Sequence, residues 1–149
     1  MRVPLAFPSG DAMTSLSAGS ASGLRILVAD DDDDFRSLLI EMLEQAGHRV
    51  IEIEDGFELE DYLELSNRSV SRRLQPDVIV TDVRMPGRSG LEVVRDARRA
   101  GLMCPVIVLS AYSDEALRDE ARALGRMVVL SKPVDADEVA QLVWKMTQN

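Results

Sequence analysis

The sequence predicts an α/β protein: an open parallel sheet covered by helices on both faces. Two observations carry the prediction. Short continuous apolar runs, typical of strands buried on both sides, recur along the chain, and between them apolar residues repeat with the period of a helix. A third observation says where the chemistry belongs. Asp30, Asp31, Asp82, Ser110 and Lys132 all stand just past such runs, at the carboxyl ends of the predicted strands, where sheets of this class bind ligands.

The regular pattern begins at Leu24. Ile26-Leu27-Val28-Ala29 reads as the first strand, and Phe35, Leu38, Leu39, Met42, Leu43 and Ala46 follow as one face of a helix. Gly47 ends that helix as a left-handed cap. Arg49 to Ile53 alternates polar and apolar residues, as an edge strand does. A weaker helix is centred on Leu59, Tyr62 and Leu63. Val78-Ile79-Val80 is the next buried strand, and its helix runs through Leu91, Val94 and Ala97 to Gly101. Val106-Ile107-Val108-Leu109 is the fourth strand; its helix runs from Asp114, with Leu117, Ala121 and Leu124 on one face, to Gly125. Val128-Val129-Leu130 is the fifth. The last helix has Asp135 as N-cap and Glu138 in a capping-box position, with Val139, Leu142, Val143 and Met146 as its buried stripe. Five strands alternating with five helices require right-handed crossovers and hence parallel strands.

At 149 residues, with 46% hydrophobic and 29% charged, the chain suits one domain with a single core. Residues 24–149 are expected to form it. Residues 1–23, rich in Ser, Gly, Ala and Pro, are expected to be a disordered tail, with Met13 an alternative start. The apolar run Val3 to Phe7, broken by Pro4, is too short for a secretory signal. No stretch approaches the roughly 20 apolar residues of a membrane helix, so no membrane insertion is expected. The net charge of −9, with no basic cluster, argues against direct nucleic-acid binding. Cys104 is the only cysteine, which rules out an intrachain disulfide and fits a reducing, cytoplasmic setting. It reads as a small core residue before Pro105.

Within the run Asp30 to Asp34, the last three residues suit a helix N-terminus, capping its free N–H groups and favoured by its dipole. Asp30 and Asp31 differ because they end a buried strand. Grouped with Asp82, they repel one another unless a cation is bound. Mg²⁺ suits such a site, because it takes one or two carboxylates and keeps waters that phosphate oxygens can replace. An aspartate can attack phosphorus to form an aspartyl-phosphate, and phosphoryl transfer then needs mainly positioning and positive charge. Lys132 supplies such a charge, and Ser110 a small donor that can follow the phosphoryl group. The set has no obvious base for turning over other substrates, so an enzyme is not expected.

Two other patterns fail. Asp30, Asp32, Asp34 and Glu41 match four positions of a calcium loop, but Phe35 stands where the turn requires glycine, and a strand precedes the run. A phosphatase of the haloacid dehalogenase type also uses a strand-end aspartate with a second acid two residues on. That reading needs extra elements and leaves Asp82 without a role.

Four segments together carry a resemblance: Ile26 to Asp32, Pro76 to Gly87, Pro105 to Ala111, and Ser131-Lys132-Pro133. In order, spacing and strand context, Leu24 to Asn149 resembles the response-regulator receiver domains of bacterial two-component signalling. The resemblance implies a flavodoxin-like fold with strand order 2-1-3-4-5. It also implies Asp82 as phosphoacceptor, Asp31 as a direct Mg²⁺ ligand, Asp30 as a ligand through water, and the backbone carbonyl of Arg84 as a further ligand. Ser110 matches the family's switch hydroxyl and Lys132 its phosphate-pairing lysine, with a cis bond before Pro133. The implied partners are a histidine kinase or histidine phosphotransfer protein and a downstream protein target. A pseudo-receiver, signalling without phosphate, is the alternative. Arg84 to Gly87 and Ser113-Asp114 look most like receivers of the nitrogen-regulator kind. Val129 departs from the pattern, since many receivers carry there an aromatic that moves on phosphorylation.

Overall fold

A computed structural model describes residues 23–68, 74–112 and 115–148. Alternation runs through this region without a break in order. The elements are β1 (Arg25–Ala29), α1 (Asp33–Gln45), β2 (Arg49–Ile53), α2 (Gly56–Arg68) and β3 (Val78–Asp82), then α3 (Gly90–Arg99), β4 (Val106–Ser110), α4 (Glu115–Leu124), β5 (Met127–Ser131) and α5 (Ala136–Met146). All strand pairs are parallel and the order is β2-β1-β3-β4-β5. This is the flavodoxin-like sheet expected, with β2 at one edge. The order reverses at β1, which pairs with β2 on one side and β3 on the other. The crevice beyond the ends of β1 and β3 is therefore the predicted binding position.

Successive strand residues point to opposite faces, and the two cores divide accordingly. Ile26, Val28, Val50, Val78 and Val80 pack with Leu39, Ile40 and Leu43 of α1 and Val139 and Val143 of α5. Leu27, Ala29, Ile51, Ile79 and Val108 pack with Leu59 and Leu63 of α2 and Val93 and Val94 of α3. Both faces are aliphatic, as the scarcity of aromatics requires.

Several local expectations shift. On α1 the buried stripe is Arg36, Leu39, Ile40 and Leu43, whereas the predicted Leu38 is exposed. The helix is turned by about one residue because a buried Arg, carried by ion pairs, occupies a position that hydrophobicity alone assigns to solvent. Gly47 does follow the C-cap with φ +97°, as predicted. Asp135 sits at the N-cap of α5, but its side chain makes no capping hydrogen bond, so the expected capping box does not form. One forms instead on α3, where Ser89 and Glu92 satisfy each other's backbone N–H groups. The predicted helix start at Asp114 lies outside the described residues. Cys104 is partly buried against the second core, and burial pushes its thiol up to about 11.

Candidate functional site

Four strand ends and their loops bring the predicted residues to one rim. β1 ends at Ala29, so Asp30 and Asp31 begin the loop into α1. Asp82 is the last residue of β3, Ser110 the last of β4, and Lys132 follows β5. The approach of α3 to Asp82 depends on Gly90. A Cβ there would lie 2.2 Å from the Asp82 carbonyl and 2.3 Å from Thr81 Oγ1, so any other residue would drive the helix away from the rim.

Asp30 is 1% exposed and Asp82 6%, while Asp31 is open to solvent. One carboxylate oxygen from each lies within 4.8 Å of the other two. Lys132 Nζ donates to Asp82 Oδ2 at 2.8 Å and lies 3.3 Å from Asp30 Oδ2. The second contact is an ion pair without hydrogen-bond geometry, which leaves the buried Asp30 Oδ2 without a donor. Asp30 Oδ1 accepts from the Asp32 N–H at 2.9 Å, and Asp82 Oδ1 from the Arg84 N–H at 3.2 Å.

The electrostatics follow from this geometry. Burial raises the pKa of Asp30; the Asp32 N–H opposes the rise, the Asp82 carboxylate adds to it, and Lys132 opposes it. Burial works against the charge of Lys132, but its hydrogen bond to Asp82 and the pull of Asp30 and Asp82 outweigh that, and its pKa stands above the ordinary value. One ammonium thus pairs with two of three clustered carboxylates, and one of those two has an orphaned buried oxygen. The donor set is all oxygen and over-supplied with negative charge, which fits a hard divalent cation such as Mg²⁺.

Ser110 is 5% exposed, and its Oγ accepts from the Tyr112 N–H at 3.1 Å. Tyr112 is exposed, with the Arg84 guanidinium 5.3 Å from its ring centroid. These two side chains link the loops after β3 and β4 beside the acids. The Lys132–Pro133 bond is cis, as expected. Val129 is half-buried within β5 and packs against the second core. Of the acidic run, Asp32 caps α1 by accepting from the Phe35 N–H, and Asp33 pairs with Arg36. The sequence reading missed Arg36. Its signal was a polar residue three and four positions before Leu39 and Ile40, on the face that proves to be buried.

A doubly wound parallel sheet in the order β2-β1-β3-β4-β5 defines the flavodoxin-like class of α/β proteins, and here acids and a lysine converge at its switch point. Residues 26–144 match the response regulator receiver domain family, and the chain belongs to that family. It is 34% identical over 118 residues to the DNA-binding transcriptional regulator NtrC of Escherichia coli, covering 79% of this chain and 24% of that protein. To the transcriptional regulatory protein PdtaR of Mycobacterium tuberculosis it is 32% identical, covering 82% of this chain and 56% of that one. The chain thus spans about a quarter to a half of the length of these relatives. The receiver domain of the Francisella response regulator 1452 superposes with a TM-score of 0.68 at 29% identity, covering 85% of this chain and all of that one. The chain is a receiver module of two-component signalling, and receivers are not typical enzymes. No helix among the described residues is long and apolar enough to cross a membrane.

Proposed function

We propose that this receiver accepts a phosphoryl group on Asp82 in a Mg²⁺-dependent reaction and acts as a phosphorylation-controlled switch or relay. The observation that carries the reading is the Asp82 carboxylate at a strand end, hydrogen-bonded to Lys132 at 2.8 Å and grouped with Asp30 and Asp31 within 4.8 Å. Asp31, Asp82 and the backbone carbonyl of Arg84 would hold Mg²⁺ directly, and Asp30 through water. The bound cation supplies positive charge to the phosphoryl oxygens.

The residues then divide the work. A carboxylate oxygen of Asp82 forms a bond to phosphorus as the donor's P–N bond breaks, giving an acyl phosphate and a free histidine on the donor. Lys132 pairs with a phosphoryl oxygen, and its raised pKa keeps it an ammonium throughout. The Ser110 hydroxyl turns toward the new anion and releases the Tyr112 N–H. The added charge of about −1.5 to −2 biases the surface beyond it. The proposed donor is a histidine kinase or histidine phosphotransfer protein, the target a downstream protein, and the setting the cytoplasm. DNA binding is a property of NtrC, of which this chain spans about a quarter. The functional unit is proposed to span residues 24–149.

The complete acid set with a hydrogen-bonded Lys132 favours this reading over a pseudo-receiver. Incubation with a small acyl phosphate, with and without Mg²⁺ and followed by intact mass, tests it. A single Mg²⁺-dependent phosphoryl adduct is expected. No adduct on a folded protein supports the pseudo-receiver, and turnover without an adduct supports a phosphatase.

A further inference from the structure

Arg36 is the one residue on the buried stripe of α1 that is not apolar. Burying a guanidinium is strongly unfavourable unless its donors are matched, and a leucine would fill the same position without that cost. Its surroundings explain its presence. Nε donates to Glu52 Oε2 at 2.7 Å, Nη2 to Asp33 Oδ1 at 2.6 Å and Nη1 to the Asp30 backbone carbonyl at 2.6 Å. The side chain is 6% exposed. Each anchor lies on a different piece of structure: β2, the first turn of α1, and the end of β1.

The third anchor concerns the acids. The β1 ladder ends at Ala29, paired with Ile53 and Thr81, so the Asp30 carbonyl lies beyond the sheet, and Arg36 holds it. That carbonyl belongs to the rigid peptide plane joining Asp30 to Asp31. Fixing it fixes the Cα from which the Asp31 side chain leaves the backbone, and leaves the rotations within Asp31 to aim the carboxylate. Among the described residues no hydrogen bond is made to the Asp31 carboxylate, yet one of its oxygens lies within 4.8 Å of those of Asp30 and Asp82. Its place therefore depends on how the Asp30–Asp31 peptide is held. The charge of Arg36 is balanced by Glu52 and Asp33, so its effect on the rim is geometric.

We propose that Arg36 is a positioning residue for the divalent cation: its fork pins the Asp30–Asp31 peptide and so sets Mg²⁺ affinity. The proposal rests on the reading above, that Asp30 and Asp31 hold Mg²⁺. Lysine at this position keeps the charge, but a single ammonium cannot span three anchors in different directions. Arg36→Lys should therefore weaken Mg²⁺ binding by about 10-fold or more, the scale on which partners of metal ligands act.

The test is Mg²⁺ titration of the full chain by calorimetry, alongside the Mg²⁺ dependence of phosphorylation by an acyl phosphate. In Arg36→Lys the expected result is a Mg²⁺ midpoint moved to higher concentration in both, with the phosphorylation rate restored at saturation. A lower melting temperature with an unmoved Mg²⁺ midpoint would make Arg36 merely structural and overturn the proposal. If Arg36→Lys does not fold, Asp33→Ala and Asp34→Ala carry the test. Both remove one exposed charge from the first turn of α1, but only Asp33 touches the fork. Asp33→Ala should weaken Mg²⁺ binding more than Asp34→Ala, and equal effects overturn the proposal. A wild type that binds no Mg²⁺ at all would instead bring down the cation reading itself, and this proposal with it.

Discussion

Lys132→Met removes the one cation between two buried acids while keeping most of the side-chain volume. At an effective dielectric of about 20, contacts of 2.8 and 3.3 Å to Asp82 and Asp30 correspond to about 6 and 5 kcal/mol of attraction. Asp30 and Asp82, within 4.8 Å, repel by about 3.5 kcal/mol on the same scale. Without the ammonium, that repulsion stands alone. The desolvation cost of the ammonium, no longer incurred on folding, and proton uptake by an acid offset part of the loss. Removing one partner of a buried pair typically costs about 3–5 kcal/mol. Because Lys132 is 26% exposed, the low end, about 3 kcal/mol, applies. With an unfolding entropy of about 2.1 cal/mol/K per residue over roughly 125 folded residues, the melting temperature should fall by about 11 °C. The fall should be largest at neutral pH and shrink in acid, where one carboxyl is protonated, and Mg²⁺ should restore part of it. Thermal unfolding by circular dichroism from pH 4 to 8, with and without Mg²⁺, measures this. A variant melting within about 3 °C of wild type at pH 7 without metal would show that Lys132 does not hold the acids together.

Two further outcomes follow from other parts of the molecule. His48 is 7% exposed, its Nδ1 has no hydrogen-bond partner, and burial lowers its pKa despite the nearby Asp77. The unfolded chain therefore binds the proton first: the contribution of His48 is complete above about pH 6.5 and is lost as pH falls, by up to about 1.4 kcal/mol per unit. Urea titrations should show this slope in wild type and not in His48→Phe; parallel pH profiles would refute it. At the rim, a beryllofluoride phosphoryl mimic should perturb hydrogen exchange most over residues 110–115, because Ser110 must release the Tyr112 N–H, and only weakly over Val129 to Ser131. Changes centred on 128–130, with the Tyr112 loop unaffected, would mean that the response does not start at Ser110.

The fold was legible because a parallel sheet buried on both faces needs uninterrupted apolar runs, and Ile26 to Ala29, Val78 to Val80 and Val106 to Leu109 have no other economical explanation. The rim was legible because strand ends are fixed once strands are, so Asp30, Asp31, Asp82, Ser110 and Lys132 could be placed together from the sequence alone. What hid were features decided by long-range pairing. Arg36 reads as solvent-facing until Glu52, 16 residues away on β2, is known to face it, and Leu38 is displaced to the surface as a consequence. Asp135 and Glu138 have capping-box spacing without forming the bond, while Ser89 and Glu92 have the same spacing and form it. Spacing allows a cap without guaranteeing it, and the backbone at the cap does not decide between them, since Ser89 (φ −66°, ψ 140°) and Asp135 (φ −79°, ψ 141°) are nearly alike. The closeness of α3 to Asp82 was equally invisible, because it rests on the missing Cβ of Gly90 meeting a carbonyl.

Asp82 is the proposed acceptor on which all the rim chemistry depends. The most direct test compares wild type with Asp82→Asn after incubation with Mg²⁺ and an acyl phosphate, locating any phosphoryl group by peptide mass. The amide is a poor nucleophile but keeps an acceptor oxygen for Lys132, so the variant should fold and carry no adduct. Wild type should carry one phosphoryl group, on the peptide containing Asp82. A folded Asp82→Asn variant labelled at the wild-type rate, or a wild-type adduct mapped to another residue, would contradict it.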